Sequence, residues 1–183
     1  MVKAIFLDRD GVICKLCYDH EKGIYSPKDM DEFKLIPHVK SSIKKLKQKG
    51  FLIIVVSNQP GIAFGHIKQK DLDIIDIFLK EQLGIDEVYN CIHHPEVNGA
   101  CSCRKPKDGL LRLAKKEFDI DFSKSYMIGD NLTDIKAGHK CKKTFLIAKK
   151  KSVALLNFIE EMKIYPSYIV GSLEEATKKI TSF

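Results

Sequence analysis

Three short clusters of functional side chains stand far apart in the chain. Asp8-Arg9-Asp10-Gly11 lies near the start, Ser57-Asn58-Gln59 follows downstream, and Gly129-Asp130 is followed by Asp134 about one helical turn later. Arg104 and Lys105 lie between the second and third clusters. Brought together, these residues would supply three carboxylates, a hydroxyl and an ammonium. Such carboxylates repel one another unless a cation sits among them, and Mg²⁺, which prefers oxygen ligands and keeps several waters, suits the set. A hydroxyl, a lysine and Mg²⁺ form a donor-rich cradle for the equatorial oxygens of a transferring phosphoryl group. One carboxylate is then left to act as nucleophile and another as acid and base. Each cluster alone is weak. Asp-x-Asp is common in surface turns, and Ser-Asn after a strand often forms a cap or an Asx-turn. All three in this order, each after an apolar segment, point to one site.

A second constellation is built on sulfur. Cys91-x-His93 and Cys101-x-Cys103 supply three thiolates and an imidazole, a set that zinc takes up tetrahedrally with no open position. The Zn²⁺ would be structural, pinning the loop 91–105. Lys105 follows the last ligand by two residues, so the rigidity of this loop would set the lysine's place. His94 is an alternative ligand to His93. Cys14 and Cys17 mimic a redox or metal Cys-x-x-Cys pair in a mixed loop. Cys141 reads as packing, and His20, His38, His66 and His139 read as surface or capping residues.

The elements that must position these groups alternate between strand and helix. Residues 2–7 form a short apolar run rich in β-formers, and 51–56 are continuously apolar, as in a strand buried on both faces of a parallel sheet. Further strands are expected at 86–90, 126–128 and 144–147, with an edge strand at 168–170. Helices are expected from Pro37 to Gly50, over 72–83, from Leu110, at 135–137, at 153–162 and at 173–180. Residues 14–34 read as a surface loop. The pattern predicts an α/β fold, a doubly wound, Rossmann-like parallel sheet with helices on both faces. Ligands bind such folds at the carboxyl ends of the strands, where the three clusters lie.

With 183 residues, the expectation is a single domain over 1–183. The chain is 44% hydrophobic and 30% charged, which excludes collagen-like and disordered classes. No apolar run approaches the roughly 20 residues of a membrane span. The acidic N-terminal residues do not suit a signal peptide, so a cytoplasmic enzyme is expected, with no membrane partner. The balance of 31 basic against 24 acidic residues, +7, suits an anionic partner. The lysines are dispersed, however, as at Lys44, Lys45, Lys47 and Lys49 and in the run Lys149, Lys150 and Lys151. A solvated basic surface is the simpler reading, and no basic stripe interleaved with aromatics argues for nucleic acid.

The motifs Asp8-Arg9-Asp10-Gly11, Ser57-Asn58-Gln59, Lys105 and Gly129-Asp130 with Asp134 resemble those of phosphatases of the haloacid dehalogenase superfamily. The runs Cys91-Ile92-His93-His94-Pro95 and Cys101-Ser102-Cys103-Arg104-Lys105-Pro106 resemble, within it, the D-glycero-D-manno-heptose 1,7-bisphosphate phosphatase and histidinol-phosphatase family. The resemblance spans roughly residues 2–148. It implies Asp8 as nucleophile and Asp10 as acid and base. Mg²⁺ would be held by the Asp8 carboxylate, the Asp10 backbone carbonyl and Asp130, with Asp134 orienting metal-bound water. Ser57, Asn58, Gln59 and Lys105 would bind or position the phosphate, and Arg104 would reach a second anionic group. The implied substrate is a small phosphorylated metabolite, the heptose 1,7-bisphosphate losing its 7-phosphate, with a monomer acting alone.

The chain departs from the family pattern in three places. Val12 stands where Thr is often found, the stretch Ile13-Cys14-Lys15-Leu16 lacks the Asn often seen in heptose phosphatases, and Asn131 stands where a basic residue often follows the acidic ligand. The alternatives are a histidinol-phosphate phosphatase, a nucleic-acid 3′-phosphatase, or a zinc-stabilised nucleic-acid-binding module. The last has no use for Asp8, Asp10 and Asp130 together. Too few residues separate Asp10 from Ser57 for a separate cap domain.

Overall fold

A computed structural model describes residues 1–21, 23–148 and 153–182. The lysine run at 149–151 lies outside the described residues. Six strands form the main sheet: β1 (Ala4–Leu7), β4 (Leu52–Asn58), β5 (Glu87–Cys91), β6 (Tyr126–Gly129), β7 (Lys143–Ile147) and β8 (Tyr168–Val170). Their order is β5-β4-β1-β6-β7-β8, and every pair is parallel. The chain winds outward from β1 to β4 and β5, then crosses back to β6 and winds the other way. β1 therefore lies at the reversal of strand order, where doubly wound folds bind ligands. Between the strands run α1 (Val39–Gln48), α2 (Gln69–Leu83), α3 (Pro95–Asn98), α4 (Gly109–Phe118), α5 (Leu132–Ala137), α6 (Val153–Met162) and α7 (Leu173–Thr181).

The continuous apolar runs form strands because both faces of the sheet are covered. Side chains alternate across a strand. Ile5, Leu7, Ile53, Val55 and Ile128 thus pack on one face, against Val39, Ile43 and Leu46 of α1, Ile75 and Leu79 of α2, and Ala176 and Ile180 of α7. Their neighbours Ala4, Phe6, Ile54, Val56 and Met127 pack on the other, against Leu110, Leu111 and Ala114 of α4. Leu146 of β7 joins Leu132, Ile135 and Ile159 under α5 and α6. Register ties the faces together, with Ile5 opposite both Ile53 and Tyr126. Among the described residues no helix is long and apolar enough to cross a membrane.

Three local expectations need correction. Residues 14–34 are not all loop, because Cys17–Asp19 and Gly23–Tyr25 pair antiparallel as β2 and β3. The first helix starts at Val39, not Pro37, because His38 takes a left-handed conformation (φ 65°). The loop after β5 contains the short α3, with His94 as its N-cap. The β2–β3 hairpin is the only element between β1 and α1 among the described residues, so nothing the size of a cap domain covers this end of the sheet.

Candidate active site

Asp8 directly follows β1, and its backbone N–H donates to the Ile128 carbonyl (3.0 Å), carrying the parallel pairing one residue further. Asp130 directly follows β6, and Asp134 lies in the first turn of α5. Carboxylate oxygens of Asp8, Asp130 and Asp134 lie within 4.8 Å of one another. Lys105, buried at the start of the chain leading into α4, reaches into this group. Its Nζ donates to Asp8 Oδ1 (2.8 Å) and the Val56 carbonyl (2.8 Å), and it pairs with Asp134 Oδ1 at 2.6 Å. Asn58, at the end of β4, holds the lysine's backbone from both sides. Its amide nitrogen donates to the Lys105 carbonyl (3.1 Å), and its oxygen accepts from the Lys105 N–H (3.0 Å).

Two glycines make room for the carboxylates. A Cβ on Gly11 would fall 2.0 Å from Asp130 Oδ2, and that residue also has φ +81°, a conformation in which Gly is nearly free of strain. A Cβ on Gly129 would fall 2.2 Å from the Asp134 Cβ. Asp134 is fixed by a capping box: its Oδ2 accepts from the Asn131 N–H (3.0 Å) while Asn131 caps the helix in return. Asp134 therefore belongs to the carboxylate group itself. The sequence signal for this is its place in the helix turn just after Asp130.

The electrostatics of the group are unbalanced. One lysine faces three carboxylates in a largely buried place. Burial disfavours the Asp8 anion; Lys105 opposes that, but Asp134, Asp10 and Asp130 add to it, so the carboxyl is pushed up to about 8. Burial, with Asp134, likewise lifts Asp130 to about 7. Burial alone would lower Lys105, but Asp134 and Asp8 overcome it and raise the lysine above its ordinary value. A hard divalent cation would relieve this excess, and an all-oxygen donor set is what such an ion selects.

Asp10 is disposed differently. Its side chain lines the cavity that opens over Asp8, but its carboxylate is held by buried partners: Arg9 Nε (2.9 Å to Oδ1), Arg9 Nη2 (3.2 Å to Oδ2), Cys14 Sγ (3.1 Å) and Gln59 Nε2 (2.7 Å). Burial works against the anion, but Arg9 outweighs it, and the carboxyl lies below its usual range. Ser57 is buried and its Oγ accepts from Gln59 Nε2 (2.8 Å). Gln59 itself is wholly buried. Sequence reasoning missed Arg9 and Cys14, because an inward-facing Arg beside two aspartates reads as surface charge.

Cys91, His93, Cys101 and Cys103 converge beside the site. Cys91 Sγ lies 3.7 Å from His93 Nδ1, 3.7 Å from Cys101 Sγ and 3.2 Å from Cys103 Sγ, and Cys103 Sγ is 3.4 Å from His93 Nδ1. No pair is bonded, and all the cysteines are free. With Zn–S near 2.3 Å, a tetrahedral site has sulfur–sulfur edges of about 3.8 Å, so the set fits zinc. His94 is otherwise engaged. Its Nδ1 accepts from the Glu96 N–H (3.4 Å), and its ring packs tilted against Phe64, with centroids 4.6 Å apart. Arg104 is anchored to the cluster: its N–H donates to Cys101 Sγ (3.4 Å) and its Nη1 to the His93 carbonyl (3.3 Å).

A cavity of about 480 Å³ opens over Asp8, with Arg104, Lys105, Asp130, Leu16 and Ser26 in its walls. A neighbouring cavity of about 680 Å³, lined by Ile24, Tyr25, Phe64 and His66, shares Ser26 with it.

Carboxylates, a lysine and an oxygen donor set suited to a hard cation meet at the carboxyl ends of β1, β4 and β6, an arrangement that suits phosphoryl transfer. Comparison with known proteins agrees. The haloacid dehalogenase-like hydrolase family matches residues 16–142. The D-glycero-beta-D-manno-heptose-1,7-bisphosphate 7-phosphatase of Haemophilus influenzae is 39% identical over 165 residues, covering 84% of this chain and 85% of that protein. The D-glycero-alpha-D-manno-heptose-1,7-bisphosphate 7-phosphatase of Campylobacter jejuni is 39% identical over 141 residues, covering 74% and 76%. Among solved structures, the D,D-heptose 1,7-bisphosphate phosphatase from B. bronchiseptica, complexed with magnesium and phosphate, superposes with a TM-score of 0.79 over 98% of both chains at 23% identity. The chain belongs to the haloacid dehalogenase-like hydrolase family, and it is a phosphatase.

The carboxylate excess gives a direct test. In chelator, Tm should fall as the pH rises from about 4 to about 7. Over that range the unfolded chain has already released the Asp130 proton, while the fold, with its carboxyl raised to about 7, still holds it. Asp130→Asn should lessen this slope and raise Tm in chelator at pH 8. It should also reduce the stabilisation that Mg²⁺ gives the wild type. Thermal melts with and without Mg²⁺ check this, and an unchanged Mg²⁺ response in the variant would count against the site.

Proposed function

We propose that the protein is a Mg²⁺-dependent phosphomonoester hydrolase that removes the 7-phosphate of D-glycero-D-manno-heptose 1,7-bisphosphate through an aspartyl-phosphate on Asp8. The observation that carries this reading is the meeting of Asp8, Asp130, Asp134 and Lys105 in one buried group under an open cavity. The shared substrate name of the relatives from Haemophilus influenzae and Campylobacter jejuni supports the substrate.

Asp8, the Asp10 backbone carbonyl and Asp130 would hold the Mg²⁺. When bound, the ion neutralises charge on the phosphoryl oxygens and keeps Asp8 ionised. Asp8 Oδ attacks phosphorus in line, and the bond from phosphorus to the sugar oxygen breaks. The negative charge of the bound phosphate offsets Arg9 and lets Asp10 take up a proton, which it gives to that departing oxygen. Asp10 then takes a proton from the water that attacks the aspartyl-phosphate, which frees Asp8 and inorganic phosphate. Ser57 and Lys105 hold the phosphoryl oxygens, with Asn58 fixing the lysine. Arg104, in the same cavity, meets the phosphate that stays on the substrate. Zn²⁺ on Cys91, His93, Cys101 and Cys103 is structural. It pins the loop carrying Arg104 and Lys105, which has little apolar core of its own.

Three outcomes follow. Asp8→Asn should abolish Mg²⁺-dependent phosphate release from the heptose bisphosphate while the protein stays folded, and retained activity would defeat the mechanism. Arg104→Ala should raise KM for the bisphosphate by about tenfold or more, since a charged hydrogen bond contributes ~1.5–3 kcal/mol, and should leave a monophosphate ester's KM nearly unchanged. Purified protein should carry about one zinc per chain. Cys103→Ser should lose it, lower Tm and raise KM together; a zinc-free protein of unaltered Tm would dismiss the structural role.

A further inference from the structure

We propose that Arg9, Cys14 and Gln59 are positioning residues for Asp10, a buried three-sided cradle that aims the acid/base carboxylate, and that Gln59 makes no contact with substrate. The proposal rests on the reading of Asp10 as acid and base given above. Three observations carry it.

First, each oxygen of the carboxylate is held by two buried donors, while the side chain still lines the cavity over Asp8. Carrying a proton requires one of these contacts, the weak thiol donor most readily, to give way. Oδ1 takes Arg9 Nε and the Cys14 thiol, and Oδ2 takes Arg9 Nη2 and Gln59 Nε2. An Arg fork fixes the plane of a carboxylate as well as its position. The thiol and the amide then fix which way that plane faces.

Second, none of the three donors is free for a ligand, since Arg9, Cys14 and Gln59 are each 0% exposed. The turn is itself tied at Arg9, whose carbonyl accepts from the N–H groups of Ile13 (2.8 Å) and Cys14 (3.1 Å). The Arg9 charge also faces Asp76 of α2, so it keeps a counter-charge when Asp10 carries a proton. Buried charges require such compensation.

Third, Gln59 spends its amide nitrogen twice, on Asp10 and on Ser57 Oγ. This links the acid/base to the hydroxyl that meets the phosphate, so the two keep a fixed relation.

The test separates aiming a proton from binding phosphate. A sugar alkoxide needs a proton as it leaves, and 4-nitrophenolate does not. kcat/KM reports only the steps up to departure of the first product, so hydrolysis of the aspartyl-phosphate does not enter it. Holoenzyme with Mg²⁺ is assayed on the heptose bisphosphate and on 4-nitrophenyl phosphate. Cys14→Ala and Gln59→Leu should each lose about tenfold or more in kcat/KM on the sugar ester, as expected for a hydrogen bond to a charged group. Cys14→Ala should stay near wild type on 4-nitrophenyl phosphate, and Gln59→Leu, which also releases Ser57 Oγ, should lose clearly less there than on the sugar ester. Cys14→Ser, which keeps a donor, should restore the sugar ester rate. Equal losses on both substrates, or no loss on either, would overturn the cradle. If Cys14→Ala does not fold, Gln59→Leu and Cys14→Ser decide it by the same ratio. Asp10→Asn separates the two levels. If it keeps full activity on the sugar ester, the underlying mechanism fails; if it loses that activity while the cradle variants keep the wild-type ratio, only the cradle fails.

Discussion

Three carboxylates and one lysine share a buried place, and the rest of the molecule is arranged to tolerate that imbalance. Left alone, Asp8 and Asp130 hold their protons far longer than ordinary aspartates. The fold accepts this cost because each group is fixed from behind. Asp134 is locked by its capping box with Asn131, and Lys105 by the Asn58 amide and the Val56 carbonyl. A site prepared in this way for positive charge need not reorganise when that charge arrives, which is the general advantage of electrostatic preorganisation.

The parallel sheet is what makes this possible. β1 sits between β4 and β6, so residues from three distant parts of the chain emerge side by side. Both faces of these strands are sealed by apolar helices, which leaves the strand ends as the place where polar groups can collect. The two sets of partners around Asp8 and Asp10 then diverge over only two residues. One carboxylate faces the lysine and its fellow carboxylates, and the other faces an arginine, an amide and a thiol.

Much of the frame was legible because buried parallel strands have an unmistakable pattern. The run at 51–56 reads as a strand covered on both sides and those at 2–7 and 126–128 as strands, and together they place Asp8, Ser57 and Asp130 at one end of the sheet. The hairpin of β2 and β3 was not legible, because three-residue strands carry too little alternation to register. The start of α1 was misjudged for a local reason: Pro37 suits a first turn, but His38 adopts a left-handed conformation that delays the helix. Spacing favours His93 but leaves His94 possible. The geometry distinguishes them, because His94 is occupied in capping α3 while His93 Nδ1 faces the sulfurs. The direction of Gln59 was also beyond sequence reasoning. Its neighbours Ser57 and Asn58 suggested a row of phosphate contacts, yet it folds inward to Asp10.

The hairpin has a wider consequence. Leu16 just before it and Ser26 just after it line the cavity over Asp8, and Ile24 and Tyr25 of β3 line the cavity next door. No residue of β2 or β3 joins the hydrogen bonds among Asp8, Asp10, Asp134 and Lys105. The hairpin residues that line these cavities and the group of Asp8, Asp134 and Lys105 thus reside on separate stretches of polypeptide. A lineage, or an engineer, could exchange the hairpin to accommodate another ester and leave the reactive machinery unaltered.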